Sequence, residues 1–301
     1  MSRYLLRRLA ASVPTVVGIT ILIFLAMRVL PGDPLALIQN EASGNYVLSA
    51  DQLAAARHSL GLDQPYPVQY LQWVGSVLHG DFGTSFWTKE SISEVIRRRA
   101  PISAEIAVLA VIISWLFGIP VGLLSAVRRN SWIDAVARVI ATVCMAIPSF
   151  WIGLIIILLG ILFFTWRPPL SIIYPWDNPG GNLQMVVGPA LALGIGLGAT
   201  TVRMTRAAAL EVLSEDYVRT AQAKGLGDRV VVLRHVFRNA MLPVVTTSGL
   251  ALGGLLGGSV SVETALGVPG LGTLLVQALN ERDWNMIQGL VLLYGLVFTV
   301  V

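Results

Sequence analysis

The chain has 301 residues, of which 55% are hydrophobic and only 13% are charged, and its 21 basic and 17 acidic residues give a net charge of +4. The charged fraction is about half that of an ordinary soluble domain, so lipid must cover apolar surface that a core cannot absorb. The small charge surplus gives no indication of a nucleic-acid partner. Cys144 is the single cysteine, which excludes a disulfide framework and a metal-binding thiol cluster.

Six charge-free runs are the strongest pattern along the chain. A helix needs ~20 mostly apolar residues to cross the hydrocarbon core of a bilayer. The runs span residues 9–27, 106–127, 139–166, 185–202, 239–262 and 284–301. They predict an all-α integral membrane protein with six transmembrane helices.

The two terminal runs carry separate expectations. No small-residue cleavage site follows the first run, so we expect it to stay as an anchor rather than to be removed as a signal peptide. The sixth run ends with the chain itself and has no basic stop residue after it. We therefore expect a span that is cut short, and whether a C-terminal tail follows Val301 stays open.

The distribution of basic residues predicts the orientation, because short cytoplasmic segments of membrane proteins are enriched in Lys and Arg. Arg3, Arg7 and Arg8 precede the first run, and the segment 203–238 is net positive. We predict that residues 1–8 and 203–238 are cytoplasmic, that 31–105 and 263–283 are external, and that both termini face inward. The whole chain, 1–301, is expected to form one transmembrane domain without internal repeats.

The external segments are expected to contain short elements. Within 31–105 the pattern predicts helices over 50–60 and 67–78 and a turn over 80–83, because this segment is too polar and too rich in proline to span. The uncharged stretch 264–280 contains three glycines and a proline that interrupt a continuous helix: Gly267, Pro269, Gly270 and Gly272. We predict a re-entrant or external segment there.

The source of energy is expected to lie outside this chain. No ionisable residue falls inside the six runs, which disfavours an ion-coupled secondary transporter of small solutes, although backbone carbonyls can still coordinate sodium. Neither Lys89 nor Lys224 belongs to a phosphate-binding P-loop, so an ATPase would be a separate subunit. A membrane-embedded enzyme is also disfavoured, because the three histidines fall in separate loops.

Glycines and prolines mark the spans in which helices are expected to pack or bend. Gly249, Gly253 and Gly257 recur every four residues in the fifth run, a spacing that permits close approach of a second helix. This stripe is either a pore-lining or subunit-facing surface or static packing, and the sequence leaves both open. Gly194, Gly196 and Gly198 weaken the fourth run and can let it bend, while three prolines predict kinks: Pro120, Pro148 and Pro189.

The segment 214–239 predicts two short helices that meet at a glycine corner. Helix-forming residues run from 216 to 224, Gly225 and Gly227 follow, and a second helical run starts at Asp228. Ser214 or Asp216 is expected to cap the first helix, and Gly225 to end it in the left-handed conformation. Such a unit can enter a groove on a soluble partner. The alternative is a solvated basic loop beside lipid headgroups.

Eight short motifs in this order resemble the permease subunits of binding-protein-dependent ABC importers, in the dipeptide and oligopeptide branch. Each motif is weak alone, and together they cover the whole chain. They are Y-L-L-R-R-L at 4–9, L-P-G-D-P at 30–34, L-G-L-D at 60–63, G-D-F-G at 80–83, G-I-P-V-G at 118–122, D-Y-V-R-T-A-Q-A-K-G-L at 216–226, R-N-A-M-L-P-V-V at 238–245 and P-G-L-G at 269–272.

This resemblance implies the MetI-like architecture of type I ABC importers and a bacterial inner-membrane location. The implied partners are a homologous second permease, two ATPase subunits that bind ATP and magnesium, and an external substrate-binding protein. No cofactor or metal is expected in this chain itself. The implied substrates are di- or oligopeptides, although related permeases carry glutathione, nickel or sugars.

The resemblance also assigns a role to the 216–226 motif, which corresponds to the ATPase-coupling loop of the family. The expected coupling residues are Asp216, Tyr217, Arg219, Thr220, Ala221 and Lys224, with Gly225 as the turn. The wider superfamily begins this motif with Glu-Ala-Ala, whereas the aligned residues here are Arg219, Thr220 and Ala221, so the contact of the acidic residue is not carried over. Gln222 is expected to be peripheral.

Overall fold

The computed structural model describes residues 2–29 and 63–300, which are helical apart from loops and one isolated bridge between Thr84 and Ser91. The predicted helix over 50–60 lies outside these ranges. The helices are α1 (Ser2–Val29), α2 (Tyr66–Leu78), α3 (Ile92–Val127), α4 (Trp132–Ala146), α5 (Ser149–Phe164), α6 (Pro179–Leu213), α7 (Asp216–Ala223), α8 (Phe237–Leu266), α9 (Leu271–Asn280) and α10 (Trp284–Val300). A helical turn, Asp228–Val230, and a π-helix, Val231–Val236, lead into α8.

Several of these helices have the length and hydropathy of membrane spans. Three described helices are each long and apolar enough to cross a membrane: Ala11–Arg28 within α1, the whole of α3, and α6. Two bent pairs, α4 with α5 and Asp228–Leu255 with Gly257–Leu266, raise the number to five if each pair is one span. The 17-residue α10 is a shorter apolar helix. The all-α prediction is confirmed for the described residues, while the count of six spans stays a prediction.

The third charge-free run forms two helices rather than one. α4 and α5 meet at an angle of 99°, and the break contains Ile147 in an extended conformation followed by Pro148. Proline has no backbone N–H and disfavours the helical conformation of the residue before it, so the helix ends at Ala146. The kink predicted at Pro148 is therefore present, and it is a sharp break.

The second and fourth runs belong to longer helices than the sequence predicted. α3 starts at Ile92, so residues 92–105 form its first turns rather than loop and turn in the predicted external segment. α6 continues from Pro179 to Leu213 through the three glycines that were expected to let it bend. Pro120 and Pro189 likewise lie inside continuous helices. Packing contacts along these helices outweigh the weak local propensity of glycine.

The chain falls into two compact units, 1–99 with 274–300, and 100–273. In the first unit α1 packs against α10 and α2, and the side chain of Ile19 lies where a Cβ on Gly295 would stand. The predicted helix over 67–78 is confirmed as α2, and Gly80 and Gly83 make the predicted turn with φ of 79° and 84°. That the whole chain forms one transmembrane domain stays a prediction.

A buried carboxylate also organises the loop between α2 and α3 in the first unit. Asp283, at the start of α10, accepts hydrogen bonds from the hydroxyl of Ser85 and the backbone N–H of Phe86. The indole of Trp87 donates to the carbonyl of Glu281 at 2.7 Å. These contacts hold residues 85–87 on the turn that precedes α10.

In the second unit α6 is the central helix and contacts α4, α5 and α8. Its buried side chains share one apolar cluster with α3, α8 and the segment after α8. The predicted interruption after α8 is present, since α8 ends at Leu266, Gly267 follows it with φ of 67°, and α9 begins at Leu271. Gly272 lies within α9 and does not interrupt it. A re-entrant or external location for this segment stays a prediction.

Candidate functional site

The helix predicted over residues 216–224 is present as α7, and its C-terminal end is built by backbone geometry. Gly225 has φ of +78°. The N–H of Gly225 donates a hydrogen bond to the carbonyl of Gln222 at 2.9 Å, and the N–H of Leu226 donates one to the carbonyl of Ala221 at 3.3 Å. This pair of bonds is the Schellman motif, which requires a left-handed residue after the helix. The prediction that Gly225 ends α7 is confirmed.

The N-terminal end of α7 differs from the prediction. Glu215 occupies the N-cap position, and no side chain caps it. The hydroxyl of Ser214 instead donates to the carbonyl of Glu211 at the end of α6, and Asp216 lies in the first turn. The prediction that Ser214 or Asp216 caps α7 is therefore wrong. The hydroxyl of Ser214 is engaged by the last turn of α6, and Asp216 lies inside α7. Asp216 still places a negative charge at the positive end of the helix dipole.

One face of α7 is fixed to the rest of the second unit. Val218 and Ala221 are buried, as expected for residues three apart on one helical face. They belong to a cluster with small or branched residues of α3, α6, the π-helix and α8: Ala126, Ala208, Ala209, Val231, Val236 and Ala240. Any displacement of α7 therefore has to move α3, α6 or α8 with it, or break this cluster.

The opposite face of α7 is exposed and holds most of the predicted coupling residues. Asp216, Tyr217, Arg219, Thr220 and Lys224 are all exposed, and so is Gly225. Ala221 is the exception, and its burial means that the chain's own cluster restricts its size. Its role in docking, like that of the exposed residues, stays a prediction.

Few contacts from residues that the structure describes occupy this exposed face. Arg219 Nη1 lies 3.6 Å from Asp216 Oδ1, and both side chains are highly exposed. This ion pair therefore contributes little to stability. The hydroxyl of Tyr217 accepts a hydrogen bond from the Asn239 amide at 2.7 Å. This contact of Asn239 was not predicted from the sequence, although the position of Asn239 in the R-N-A-M-L-P motif could have indicated it. The bond connects α7 to the start of α8.

Comparisons with known proteins show to which family the chain belongs. Residues 118–301 match the family described as "binding-protein-dependent transport system inner membrane component", and residues 1–107 match the family of its N-terminal region. The chain belongs to this family. It is therefore a multi-pass permease of a binding-protein-dependent ABC transport system, and permeases of this kind are transport subunits rather than enzymes.

Named relatives match the permease over its whole length. It is 38% identical to the glutathione transport system permease protein GsiC of Salmonella typhi, over 301 residues that make up 100% of this chain and 94% of the relative. It is 37% identical to a putative peptide transport system permease protein of Brucella abortus, with the same coverage. These similarities support the resemblance to the peptide branch that the motifs indicated.

Close helix packing in the permease occurs at glycines that the sequence analysis did not single out for this role. A Cβ on Gly118 would stand 2.8 Å from Thr201 Cβ, and one on Gly122 would stand 2.7 Å from Thr205 Cβ and from the carbonyl of Val202. A Cβ on Gly194 would likewise be 2.9 Å from Ile113 Cβ. Four-residue spacing of Gly118 and Gly122 is the signal, as in other close helix pairs. α3 and α6 therefore pack closely against each other at these glycines.

The predicted stripe on α8 has a different environment. A Cβ on Gly249 or on Gly257 would meet no atom within 4 Å, while Gly253 is buried. Static packing inside the described part of the chain therefore does not explain Gly249 and Gly257. Whether they line a pore or face a second subunit stays a prediction.

A buried carboxylate lies just beyond the fifth charge-free run and was missed for that reason. Glu263 is fully buried near the end of α8. It accepts hydrogen bonds from the Ser259 hydroxyl at 2.9 Å and the Gly272 N–H at 2.7 Å, while Ser103 Oγ accepts from the Leu271 N–H at 2.8 Å. The first N–H groups of a helix lack partners within it, so Glu263 and Ser103 together cap α9 from α8 and α3.

Another buried carboxylate connects three helices near the C-terminal end of α3. Asp134 of α4 accepts a bidentate pair from Arg206 of α6, at 2.7 and 2.9 Å. It also accepts from the Ser125 hydroxyl at 2.6 Å and the Asn130 N–H at 3.1 Å. Both oxygens of this buried group are therefore satisfied, as a buried charge requires. Asp134 was not singled out in the sequence analysis, because its partner Arg206 is 72 residues away.

The positive φ of Gly225 gives a test of whether the C-terminal end of α7 matters for function. Gly225→Val places a β-branched residue at positive φ, which costs at least about 1–2 kcal/mol, although its Cβ would meet no atom. We expect loss of ATPase association by the assembled permease, measured by co-purification. Gly225→Asn is the matched control, because asparagine tolerates this conformation. Equal loss in both variants would point to a contact of the glycine itself rather than to its backbone.

Proposed function

We propose that the permease forms half of the translocation path of an ATP-driven importer for di- or oligopeptides, glutathione included. The observation that carries this proposal is α7: a short helix with one face anchored in the cluster of α3, α6 and α8 and the other exposed, within a chain that belongs to the binding-protein-dependent family. The names of the relatives, a glutathione permease and a putative peptide permease, support the substrate class.

The proposed architecture is the six-span, MetI-like arrangement of type I importers, with both termini in the cytoplasm. Residues 1–8 and 203–238 then face the cytoplasm, and 31–105 and 263–283 face outward. The excess of basic residues in the two inner segments supports this orientation. It places α7 on the side where ATP is available.

The proposed partners are a homologous second permease, two ATPase subunits and an external substrate-binding protein. ATP and magnesium would be bound by the ATPases. The open positions of Gly249 and Gly257 on α8 support a surface that approaches the second permease or lines the path. The exposed side chains of Asp216, Tyr217, Arg219, Thr220 and Lys224 support docking of α7 in a groove of an ATPase.

The mechanism proposed is alternating access. ATP binding closes the ATPases and moves α7, and the cluster around Val218 and Ala221 passes this movement to α3, α6 and α8. The path then opens outward, receives substrate from the binding protein and releases it inward after hydrolysis. A rigid connection is needed for this coupling, because a loose loop would absorb the movement of the ATPases.

Reconstitution tests the division of labour. The purified permease alone should not hydrolyse ATP, whereas vesicles holding both permeases and the ATPases, supplied with the binding protein, should take up dipeptide only with ATP. Uptake driven by an ion gradient without ATPases would instead identify an ion-coupled carrier.

The exposed face of α7 gives the matching variants. Arg219→Glu and Lys224→Glu reverse exposed charges without touching the buried cluster, so the permease should insert normally but lose ATPase association. Gln222→Ala, on the same helix and also exposed, should be mild. If both charge reversals assemble and transport like the parent, α7 is a solvated surface and not the coupling element.

A further inference from the structure

A cavity of ≈ 720 Å³ lies between α4 and α6 and is rich in arginine. Arg138, Thr142 and Met145 line it from α4, and Thr200, Arg203 and Met204 line it from α6. These residues follow helical spacing on each helix, so the two lining faces are each one side of a helix. The volume falls within the range of roughly 300–1,000 Å³ that is typical of small-molecule sites.

The charges around this cavity are not balanced. Arg206 forms a bidentate pair with Asp134, and Arg138 lies 3.6 Å from the same carboxylate. One carboxylate therefore serves two guanidinium groups. Among the residues that the structure describes, no carboxylate lies within ion-pair distance of Arg203, and the polar contact recorded for its guanidinium is with Met145 Sδ at 3.4 Å. A thioether is a weak acceptor, so Arg203 keeps donors for an anion.

The other lining residues favour an organic anion with variable side chains. Met145 and Met204 are flexible and polarisable, and methionines occur at surfaces that accept ligands of different shapes. Thr142 and Thr200 add hydroxyl groups. The guanidinium of Arg203 can bind a carboxylate, and the two methionines can adapt to the rest of the ligand. This lining suits small molecules that share one carboxylate and differ elsewhere, as peptides do.

We propose that this cavity binds the C-terminal carboxylate of the transported peptide, with Arg203 as the residue that contacts it. The proposal rests on the proposed function and adds a substrate contact to it. Arg203 directly follows the fourth charge-free run and Arg138 directly precedes the third, so in the proposed orientation both lie at the cytoplasmic side of the membrane. The competing occupant of such arginines is the phosphate of a lipid headgroup, toward which long basic side chains extend at span ends.

A cysteine reporter in the assembled importer separates these occupants. Thr200→Cys in a Cys144→Ser background places a thiol in the cavity, and the importer with all its subunits is held in nanodiscs. The rate of thiol labelling is measured without peptide, with alanyl-alanine and with its C-terminal amide. We expect alanyl-alanine to slow labelling and the amide to have little effect. In Arg203→Gln, the peptide concentration that gives half-maximal protection should rise about 10- to 100-fold. Arg203→Lys should retain part of the protection. Arg167→Gln, an exposed arginine outside the cavity, is the matched control and should behave like the parent.

Four results would overturn the proposal. They are equal protection by acid and amide, full protection in Arg203→Gln, labelling that follows the anionic lipid content and not the peptide, and a reporter that reacts in the isolated permease but not in the assembled importer. ATP-driven uptake of alanyl-alanine is measured with the same subunits in proteoliposomes. Uptake without protection removes only the cavity proposal, whereas protection without uptake removes the proposed function.

Discussion

Replacing Asp134 by alanine is expected to lower the free energy of unfolding of the permease by about 1–3 kcal/mol, because the donors that this buried carboxylate satisfies lose their acceptor. Arg206 would lose both hydrogen bonds of its bidentate pair, and Ser125 would lose its acceptor. The measurement is the temperature at which the purified protein loses its monodisperse peak after heating. Glu211→Ala, an exposed carboxylate at the end of the same α6, should change this temperature little.

The double variant isolates the cause of that loss. If the cost arises from the uncompensated charge of Arg206, Asp134→Ala combined with Arg206→Ala should be less destabilising than the sum of the two single changes. Strict additivity would mean that the two side chains act independently, and that the packing of α4 on α6 comes from the apolar contacts alone.

Gly270→Ala is the second change with a large expected effect. The added Cβ would overlap the Glu263 carboxylate and stand 2.6 Å from Ser103 Oγ, the two groups that cap α9. Overpacking of this kind costs about 1–3 kcal/mol, and displacement of Glu263 also removes the acceptor of the Gly272 N–H. We expect lower thermal stability and loss of uptake in the reconstituted importer.

Gly180→Ala is the control for this change, since its Cβ would have no neighbour closer than 3.7 Å. Glu263→Gln tests the capping role from the other side, because it keeps the shape of the side chain and one acceptor for the Gly272 N–H. A fully stable Gly270→Ala permease would show that the segment between α8 and α9 shifts without cost, and the capping role of Glu263 would then be abandoned.

Features that depend on the local backbone were predictable from the sequence. The end of α7 at Gly225, the break at Pro148 and the interruption after Gly267 all follow from what glycine and proline permit at a single position. The all-α class followed equally directly, because charge-free runs of span length leave helices as the simplest way to satisfy backbone hydrogen bonds in lipid. The motif order indicated the family.

Features that depend on which distant residues meet were decided only by the tertiary structure. Asp134 and Arg206 are 72 residues apart, and Ser103 and Leu271 are 168 apart, so neither pair leaves a local pattern. The start of α3 at Ile92 and the continuation of α6 through its glycines also went against local expectation.

The same division explains the glycines and the coupling residues. Spacing every four residues marks a helix face that can be approached closely, but it does not identify the neighbour. Gly118 and Gly122 pack on α6, whereas a Cβ on Gly249 or Gly257 would meet no atom of the described residues within 4 Å. Likewise, the sequence placed Ala221 and Lys224 on one helix, and the fold buried the first and exposed the second. Local sequence determines where backbones can turn or approach, whereas the identity of the partner surface depends on free energy gained by burial across the whole fold.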